Sequence, residues 1–326
     1  MTTALLLFSV LVPSKGWFAP DQPWNVTVKP PAGGAVRLVL TDFTGTAVDA
    51  EASQDRDLDR ETVVDVKRVF PSMDAAGTYI LYAVAKGQVG VKTFEGTPLV
   101  VTVRDDRRRG APGGTMVVKI EPLQYAIVST DAGDMTVAFY YANAPHTIAN
   151  FISLAREGFY NGLTFHRIEP DFLIQGGDPR GDGTGGPGYN IDAEFSDVKH
   201  KKGVLSMGRN VDPNESPNNP PRPEYANSAG SQFFICLDYT NTAQLDGVYT
   251  AFGRVVGVEG LKVLDALAAT PVADKKTGKP AKPPVIKKIE VFPVKSRENP
   301  YPLLLQPEDE ESDAQAKPAG GQGGKK

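Results

Sequence analysis

Two short segments constrain this chain more than any other feature, because each combines large apolar residues with polar side chains and glycine turns. The first is FHRIEPDFLIQGGDP, residues 165–179, and the second is ANSAGSQFFIC, residues 226–236. An arginine, a glutamine and several Phe and Leu residues close to sharp turns suit an apolar pocket that contains a few fixed hydrogen-bond donors. Such a pocket would hold a small ring.

Both segments resemble the signature segments of cyclophilins, the peptidyl-prolyl cis-trans isomerases, and the similarity continues in order from about residue 125 to residue 272. The resemblance implies a closed β-barrel capped by two helices. It also implies an enzyme that accelerates rotation about X-Pro bonds during protein folding, with proline-containing polypeptides as substrates.

The resemblance assigns catalysis to Arg167, with Gln175 beside it to orient the guanidinium or bind the substrate backbone. A permanently charged guanidinium can donate a hydrogen bond to the proline nitrogen of a twisted amide. An arginine paired with an acid on a strand face is the alternative for this residue alone, and the surrounding motif favours catalysis.

The resemblance also implies a substrate-binding set around Arg167. By motif position, the proline pocket would be lined by Phe172, Leu173, Phe234, Leu245 and Tyr249, while Gln232, Gly208 and Arg209 would contact the substrate backbone. Core packing would explain the Phe and Leu residues if the motif were absent. Tyr249 replaces a frequent histidine, and its ring can still flank proline.

Two departures from the family pattern concern specificity. Gln244 replaces a tryptophan that helps many members to bind cyclosporin, so we expect weak cyclosporin binding. NVDPNESPNNPPRPEY, residues 210–225, lengthens a compact family loop. It is either a solvated proline-rich loop or a lid that selects substrates or occupies the site itself.

Short alternating β-branched and aromatic runs over residues 15–104 predict an accessory β-sandwich of the immunoglobulin-like kind, although a barrel fits the same pattern. One predicted strand is ETVVDVKRVF, residues 61–70. We expect a docking or spacer module here, because this part contains no catalytic constellation.

The charged, Gly/Pro-rich residues 105–115 predict a linker, and residues 116–297 form the predicted isomerase domain. Pro145 suits the first turn of a helix that would bury Ile148, Phe151, Ile152 and Ala155. A second helix is predicted near residues 259–269. Residues 298–326 are low in complexity and should be disordered.

Composition excludes several classes of function. The net charge of −4 gives no overall basic field, so we expect no nucleic-acid partner. A single cysteine, Cys236, rules out an internal disulfide and a cysteine-based zinc site, and the three histidines are far apart in sequence. We expect neither a metal nor a cofactor.

Gly181, Gly183 and Gly186 match a dinucleotide motif, but no helix is predicted after them.

The first 14 residues leave the compartment open. ALLLFSVLV has the length of a signal h-region, but no Lys or Arg precedes it and no clear cleavage site follows. It fits an atypical export signal, a start codon inside a longer signal, or a first buried strand. It is too short to cross a membrane. Export to a periplasm or cell envelope is favoured over the cytoplasm.

Two other functions fit the sequence. Gln244, Tyr249 and the insertion would also suit a non-catalytic module that binds proline peptides or acts as a chaperone. A purely structural role would place the main function in the β-sandwich.

Overall fold

The computed structural model describes residues 9–19, 21–52, 57–74, 76–88, 90–106, 115–216 and 219–304, and the fold is mostly β. In the first part of the chain the strands are β1 (Leu11–Pro13), β2 (Trp17–Phe18), β3 (Asn25–Val28), β4 (Val36–Asp42), β5 (Ala47–Val48), β6 (Thr62–Asp65), β7 (Gly77–Ala85), β8 (Leu99–Asp106) and β9 (Thr115–Pro122). A short helix, α1 (Val66–Val69), and a 3₁₀ turn, Pro71–Asp74, follow β6.

These strands form two antiparallel sheets around one core. The larger sheet has the order β2-β9-β8-β7-β4-β5, and the smaller has the order β1-β3-β6. Trp24 and Val26 from the smaller sheet region pack in the same core as Leu40 and Leu81 from the larger one. The structure is therefore a pair of packed sheets, while its predicted immunoglobulin-like topology stays a prediction.

The larger sheet is covered on both faces. Because side chains alternate along a strand, Leu81 and Ala83 of β7 face the core shared with the smaller sheet. Ile80, Tyr82 and Val84 face the opposite way and belong to a second core, which is built mainly from later residues. The accessory sheets are thus packed against the rest of the protein through an apolar face.

The remaining strands are β10 (Gln124–Thr130), β11 (Gly133–Phe139), β12 (Arg167–Glu169), β13 (Leu173–Gly176), β14 (Val204–Met207), β15 (Phe233–Cys236), β16 (Ala251–Val256), β17 (Val272–Asp274), β18 (Lys279–Pro280) and β19 (Ile286–Pro293). Eight of them form one curled sheet with the order β12-β13-β15-β14-β16-β11-β10-β19, and β17 pairs with β18 alone.

The two edges of the curled sheet meet through a short segment. Phe165 N donates to Pro284 O at 2.9 Å, and Ile286 N donates to Leu163 O at 2.7 Å. These bonds join residues just before β12 to the start of β19. The predicted closure of the barrel stays a prediction.

The helices of this part are α2 (Pro145–Arg156), α3 (Pro223–Ala226), α4 (Tyr239–Thr242), α5 (Val258–Ala268) and α6 (Tyr301–Leu304), with a 3₁₀ turn at Ala243–Leu245. Pro145 occupies the first turn of α2. The four residues predicted for its inner face are all buried, which confirms the helical spacing: Ile148, Phe151, Ile152 and Ala155. The second predicted helix corresponds to α5.

The strand predicted over residues 61–70 is wrong in its second half. β6 ends at Asp65, and α1 then brings Val66 and Phe70 to one side, where both are fully buried. Phe70 N donates to Val66 O at 2.9 Å. A backbone hydrogen bond from residue i+4 to residue i closes a helical turn, and this turn forms here despite the β-branched composition.

The predicted domain limits differ from the observed elements at two places. β9 pairs with β8 from Thr115 to Pro122, so the limit at residue 116 falls inside a strand of the accessory sheet. Tyr301 and Leu304 are buried in α6 within the predicted tail, and the rest of that tail lies outside the described residues.

The predicted linker, residues 105–115, lies mostly outside the described residues too. In the possible signal segment, residues 1–8 also lie outside them, and Leu11–Pro13 forms β1, paired with β3. Among the described residues, no helix is both long enough and apolar enough to cross a membrane.

Candidate functional site

Arg167 lies on β12 directly opposite Gln175 on β13. Its Nη1 donates to Gln175 Oε1 at 3.1 Å, and its Nε donates to Glu169 Oε1 at 2.8 Å. Nη2 also donates to Glu169. Two acceptors therefore fix the guanidinium on its strand, and about a third of the side chain, 37%, remains exposed.

The strand register places Arg167 in one row of paired residues with Phe234, a predicted pocket residue. Gln175 is paired with Phe234 on β15, and Phe234 is paired with Ser206 on β14. Side chains of directly paired residues project from the same face of a sheet. Arg167, Gln175 and Phe234 therefore share one face.

A chain of amide hydrogen bonds continues from Gln175. Its Nε2 donates to Gln232 Oε1 at 2.9 Å, and Gln232 Nε2 donates to the carbonyl oxygens of Gly183 and Gly185 at 3.0 and 2.8 Å. Each amide accepts on one side and donates on the other, so the side-chain orientations are fixed in sequence. The glycine-rich loop thus anchors Gln232, which in turn fixes Gln175, the glutamine that holds Arg167.

The same loop is shaped by Asp178, which is buried. Its carboxylate accepts hydrogen bonds from the backbone N–H of Arg180 at 2.8 Å and of Asp182 at 3.1 Å. A Cβ on Gly185 would collide with the Asp178 carboxylate. Asp178 therefore forms a turn, as an acid between glycines is expected to do.

Five predicted pocket residues come together beside this row. Leu173, Phe234 and Leu245 are buried in one small apolar cluster, and Phe172 and Tyr249 pack against it. The rings of Phe234 and Tyr249 meet edge to face with 5.6 Å between centroids. The cluster is separate from the main core, so it can form the floor of a small pocket.

Gly208 and Arg209 form the rim between the pocket and the glutamines. Gly208 N donates to Gln232 O at 2.9 Å, and a Cβ on Gly208 would lie 3.4 Å from Gln175 Nε2. The Arg209 guanidinium carbon lies 4.2 Å from the ring centroid of Tyr249. The structure therefore brings every predicted site residue into one region.

One arginine–carboxylate pair ties the insertion to this rim, and a second pair lies within the insertion itself. Arg209 Nη1 and Nη2 donate to the two carboxylate oxygens of Glu215 at 3.0 and 2.7 Å. Arg222 Nε and Nη2 donate to Asp212 at 2.9 and 3.0 Å, and these bonds lower the pKa of Asp212. Described residues of the insertion are therefore part of the pocket's border.

Sequence reasoning missed a buried polar group behind the pocket. His200 Nδ1 lies 3.0 Å from Asp246 Oδ1, and its Nε2 lies 3.1 Å from Ser206 Oγ. The His200 ring stacks on Phe234 with 6.3 Å between centroids. Burial lowers the pKa of His200, and Asp246 opposes this shift. No sequence signal connects His200 to Asp246, since 46 residues separate them.

The structure gives no chemical role to several other groups. Cys236 is buried at the pocket, and burial raises the pKa of its thiol. Within the described ranges, no three His, Cys, Asp or Glu residues are placed to hold a metal ion. Gln244 Nε2 donates to Asn241 O at 3.0 Å, and the expected weak binding of cyclosporin stays a prediction.

Comparisons with known proteins agree with this geometry. The family model for the cyclophilin type peptidyl-prolyl cis-trans isomerase/CLD matches residues 125–291, just over half of the chain. A peptidyl-prolyl cis-trans isomerase of Synechococcus elongatus is 44% identical over 142 residues, which cover 44% of this chain and 87% of the relative. One from Helicobacter pylori is 40% identical over 161 residues, covering 48% and 89%.

A solved structure is similar as well. It is a cyclophilin type peptidyl-prolyl cis-trans isomerase of Cryptosporidium parvum, crystallised in the presence of the dipeptide Ala-Pro. The sequence identity is 31%, the match covers 52% of this chain and 99% of the other, and the TM-score is 0.44.

Proposed function

This chain belongs to the cyclophilin-type peptidyl-prolyl cis-trans isomerases, and we propose that it accelerates X-Pro rotation in polypeptide substrates through Arg167. The accelerated step involves no covalent bond to the protein. The barrier of roughly 18–20 kcal/mol arises because rotation abolishes amide resonance. A catalyst needs only to bind the twisted amide more tightly than the planar one.

The observation that supports the proposal is the fixed guanidinium beside an apolar floor. A guanidinium has five N–H donors. The bonds to Gln175 and Glu169 use one donor each on Nε, Nη1 and Nη2. One donor on each of Nη1 and Nη2 is left for a substrate. When the amide twists, its nitrogen becomes pyramidal and gains an acceptor lone pair, which Arg167 can stabilise.

The pocket supplies the complementary part of the mechanism. The Phe172, Leu173, Phe234, Leu245 and Tyr249 side chains would hold the proline ring by apolar contact while the peptide bond turns. Gln232, Gly208 and Arg209 would bind the substrate backbone. While the pocket holds the proline ring fixed, rotation about the X-Pro bond would move only the part of the substrate on the other side of that bond.

The experiment that tests this function uses the full chain, because the accessory sheet and the curled sheet share a core. A neutral X-Pro peptide is converted from cis to trans in a protease-coupled assay. Uncatalysed conversion takes tens to hundreds of seconds. We expect the rate to rise in proportion to protein concentration. A peptide that binds without faster conversion would indicate the non-catalytic binding module instead.

A further inference from the structure

A hairpin next to the catalytic strand contains a dense group of lysines. It consists of β17, β18 and the turn between them, and Asp274 orders the turn. The Asp274 carboxylate accepts from Lys276 N at 2.9 Å and from Thr277 Oγ1 at 2.8 Å. We call Lys275, Lys276, Lys279 and the following Lys282 the lysine hairpin.

The lysine hairpin is bonded directly to β12. Ile168 N donates to Gly278 O at 2.7 Å. A Cβ on Gly278 would lie 3.0 Å from Arg167 Cγ and 3.2 Å from Glu169 Cγ. The backbone of the turn therefore touches the stem of the proposed catalytic arginine, and Lys279 follows Gly278 in the chain.

The lysine hairpin has an excess of positive charge, because residues 272–282 contain four lysines and one acid, Asp274, which interacts electrostatically with Lys279. All four lysines are exposed, and no carboxylate of the described residues forms a salt bridge with any of them. Residues 275–288 include six lysines and no Asp or Glu, although the whole chain has a net charge of −4. Glu169, the nearest acid on β12, is already bound by Arg167.

We propose that the lysine hairpin binds acidic residues that flank the X-Pro bond, so that the protein prefers substrates with Asp or Glu close to proline. This inference rests on the proposed function. Electrostatic attraction extends over about 10 Å at 0.1 M salt, and Lys279 is one residue from the turn that touches Arg167. A positive field beside a site increases the encounter rate with negative ligands.

A polypeptide fits this surface better than a nucleic acid. The lysine hairpin borders the proposed peptide site, and residues 272–288 contain no aromatic side chain on which a base could stack. The chemistry that the surface recognises is therefore a carboxylate near proline.

The test compares two X-Pro peptides that differ only in a flanking Glu or Lys, turned over by the full chain at several salt concentrations. At low salt we expect kcat/KM to be about tenfold higher for the Glu peptide, with a smaller ratio as salt screens the charges. In a variant with Lys275→Gln, Lys276→Gln and Lys279→Gln the ratio should fall to about one.

A matched control removes the same charge elsewhere, with Lys29→Gln, Lys92→Gln and Lys295→Gln, and should keep the wild-type ratio. Equal kcat/KM for both peptides in the wild type, or a ratio that survives the hairpin substitutions, would overturn the inference.

A neutral peptide separates this inference from the proposed function. If the wild type does not turn over the neutral peptide, the proposed function fails. The inference is then decided by the affinity of a fluorescent Glu peptide, which should be weaker for the hairpin variant than for the control. Equal affinities would overturn it.

Discussion

The guanidinium of Arg209 lies over the ring of Tyr249, with 4.2 Å between its central carbon and the ring centroid. Arg209 is held there by both carboxylate oxygens of Glu215, a residue of the insertion, and only 2% of its side chain is exposed. Tyr249 in turn packs against Phe234. The insertion therefore supports, through one ion pair, the arginine that lies over a pocket aromatic.

Glu215→Ala should weaken both stability and substrate binding. It leaves the buried Arg209 charge without its main partner, which costs about 3 kcal/mol in comparable cases. We expect a lower midpoint in urea and a higher KM, because the Tyr249 ring loses its support. Glu224→Ala is the control within the insertion, since Glu224 is exposed and should change the free energy of unfolding by less than about 0.5 kcal/mol. Equal effects of the two substitutions would contradict this role for Glu215.

Gln175→Ala should lower kcat more than it raises KM. The substitution removes the acceptor that fixes Arg167 Nη1 and the donor to Gln232. Losing a hydrogen bond to a charged group of this kind reduces kcat/KM about tenfold. Steady-state isomerisation kinetics measure the two parameters separately. Gln22→Ala, in the accessory sheets, is the control, and an unchanged kcat in Gln175→Ala would exclude the positioning role.

Arg104→Ala should destabilise the contact between the accessory sheet and the curled sheet. Arg104 Nη1 donates at 2.9 Å to Glu194, whose carboxylate is buried and also accepts from the backbone of His146 and Thr147 at the start of α2. We expect the free energy of unfolding to fall by about 1–3 kcal/mol. Urea unfolding measures the loss, with the exposed Arg68→Ala as control. A loss no larger than that of the control would show that Arg104 is dispensable.

Stability should fall on acidification because of His200. Burial holds the pKa of His200 below its ordinary value of 6.5. Below pH 6.5 the unfolded chain therefore binds a proton that the folded protein does not, and the free energy of unfolding falls by up to about 1.4 kcal/mol per pH unit. Above pH 6.5 this contribution is complete and constant.

His200→Asn removes the titrating group and should reduce that slope between pH 6.5 and pH 5. A residual slope is expected, since burial also lowers the pKa of His166. Unfolding free energies at several pH values measure both slopes. An identical slope in the variant and the wild type would show that His200 does not contribute.

The apolar side of the site could be predicted because short motifs fix it locally. Phe172 and Leu173 lie next to each other at the start of β13, and Gln232, just before β15, is two residues from Phe234, so strand alternation predicts one face for Gln232 and Phe234. The helix α2 could be predicted as well, because its buried residues recur with the helical period.

The polar supports could not be predicted, because they join distant parts of the chain. Glu215 lies in an insertion whose composition indicates only a loop, and Asp246 reaches His200 only when the sheet is formed. The second buried face of β7 was also missed. Alternation shows that Ile80, Tyr82 and Val84 share a face, but it does not reveal what covers them.

The central claim concerns Arg167, and its most direct test is the turnover of a neutral X-Pro peptide by the full-length Arg167→Ala variant. Because the guanidinium acts mainly on the twisted amide, kcat/KM should fall about 100-fold or more while the thermal unfolding midpoint stays close to that of the wild type. Arg167→Lys should be intermediate, and Arg60→Ala, an exposed arginine of the accessory sheets, should be unaffected. Turnover near the wild-type rate in a folded Arg167→Ala protein would contradict the account.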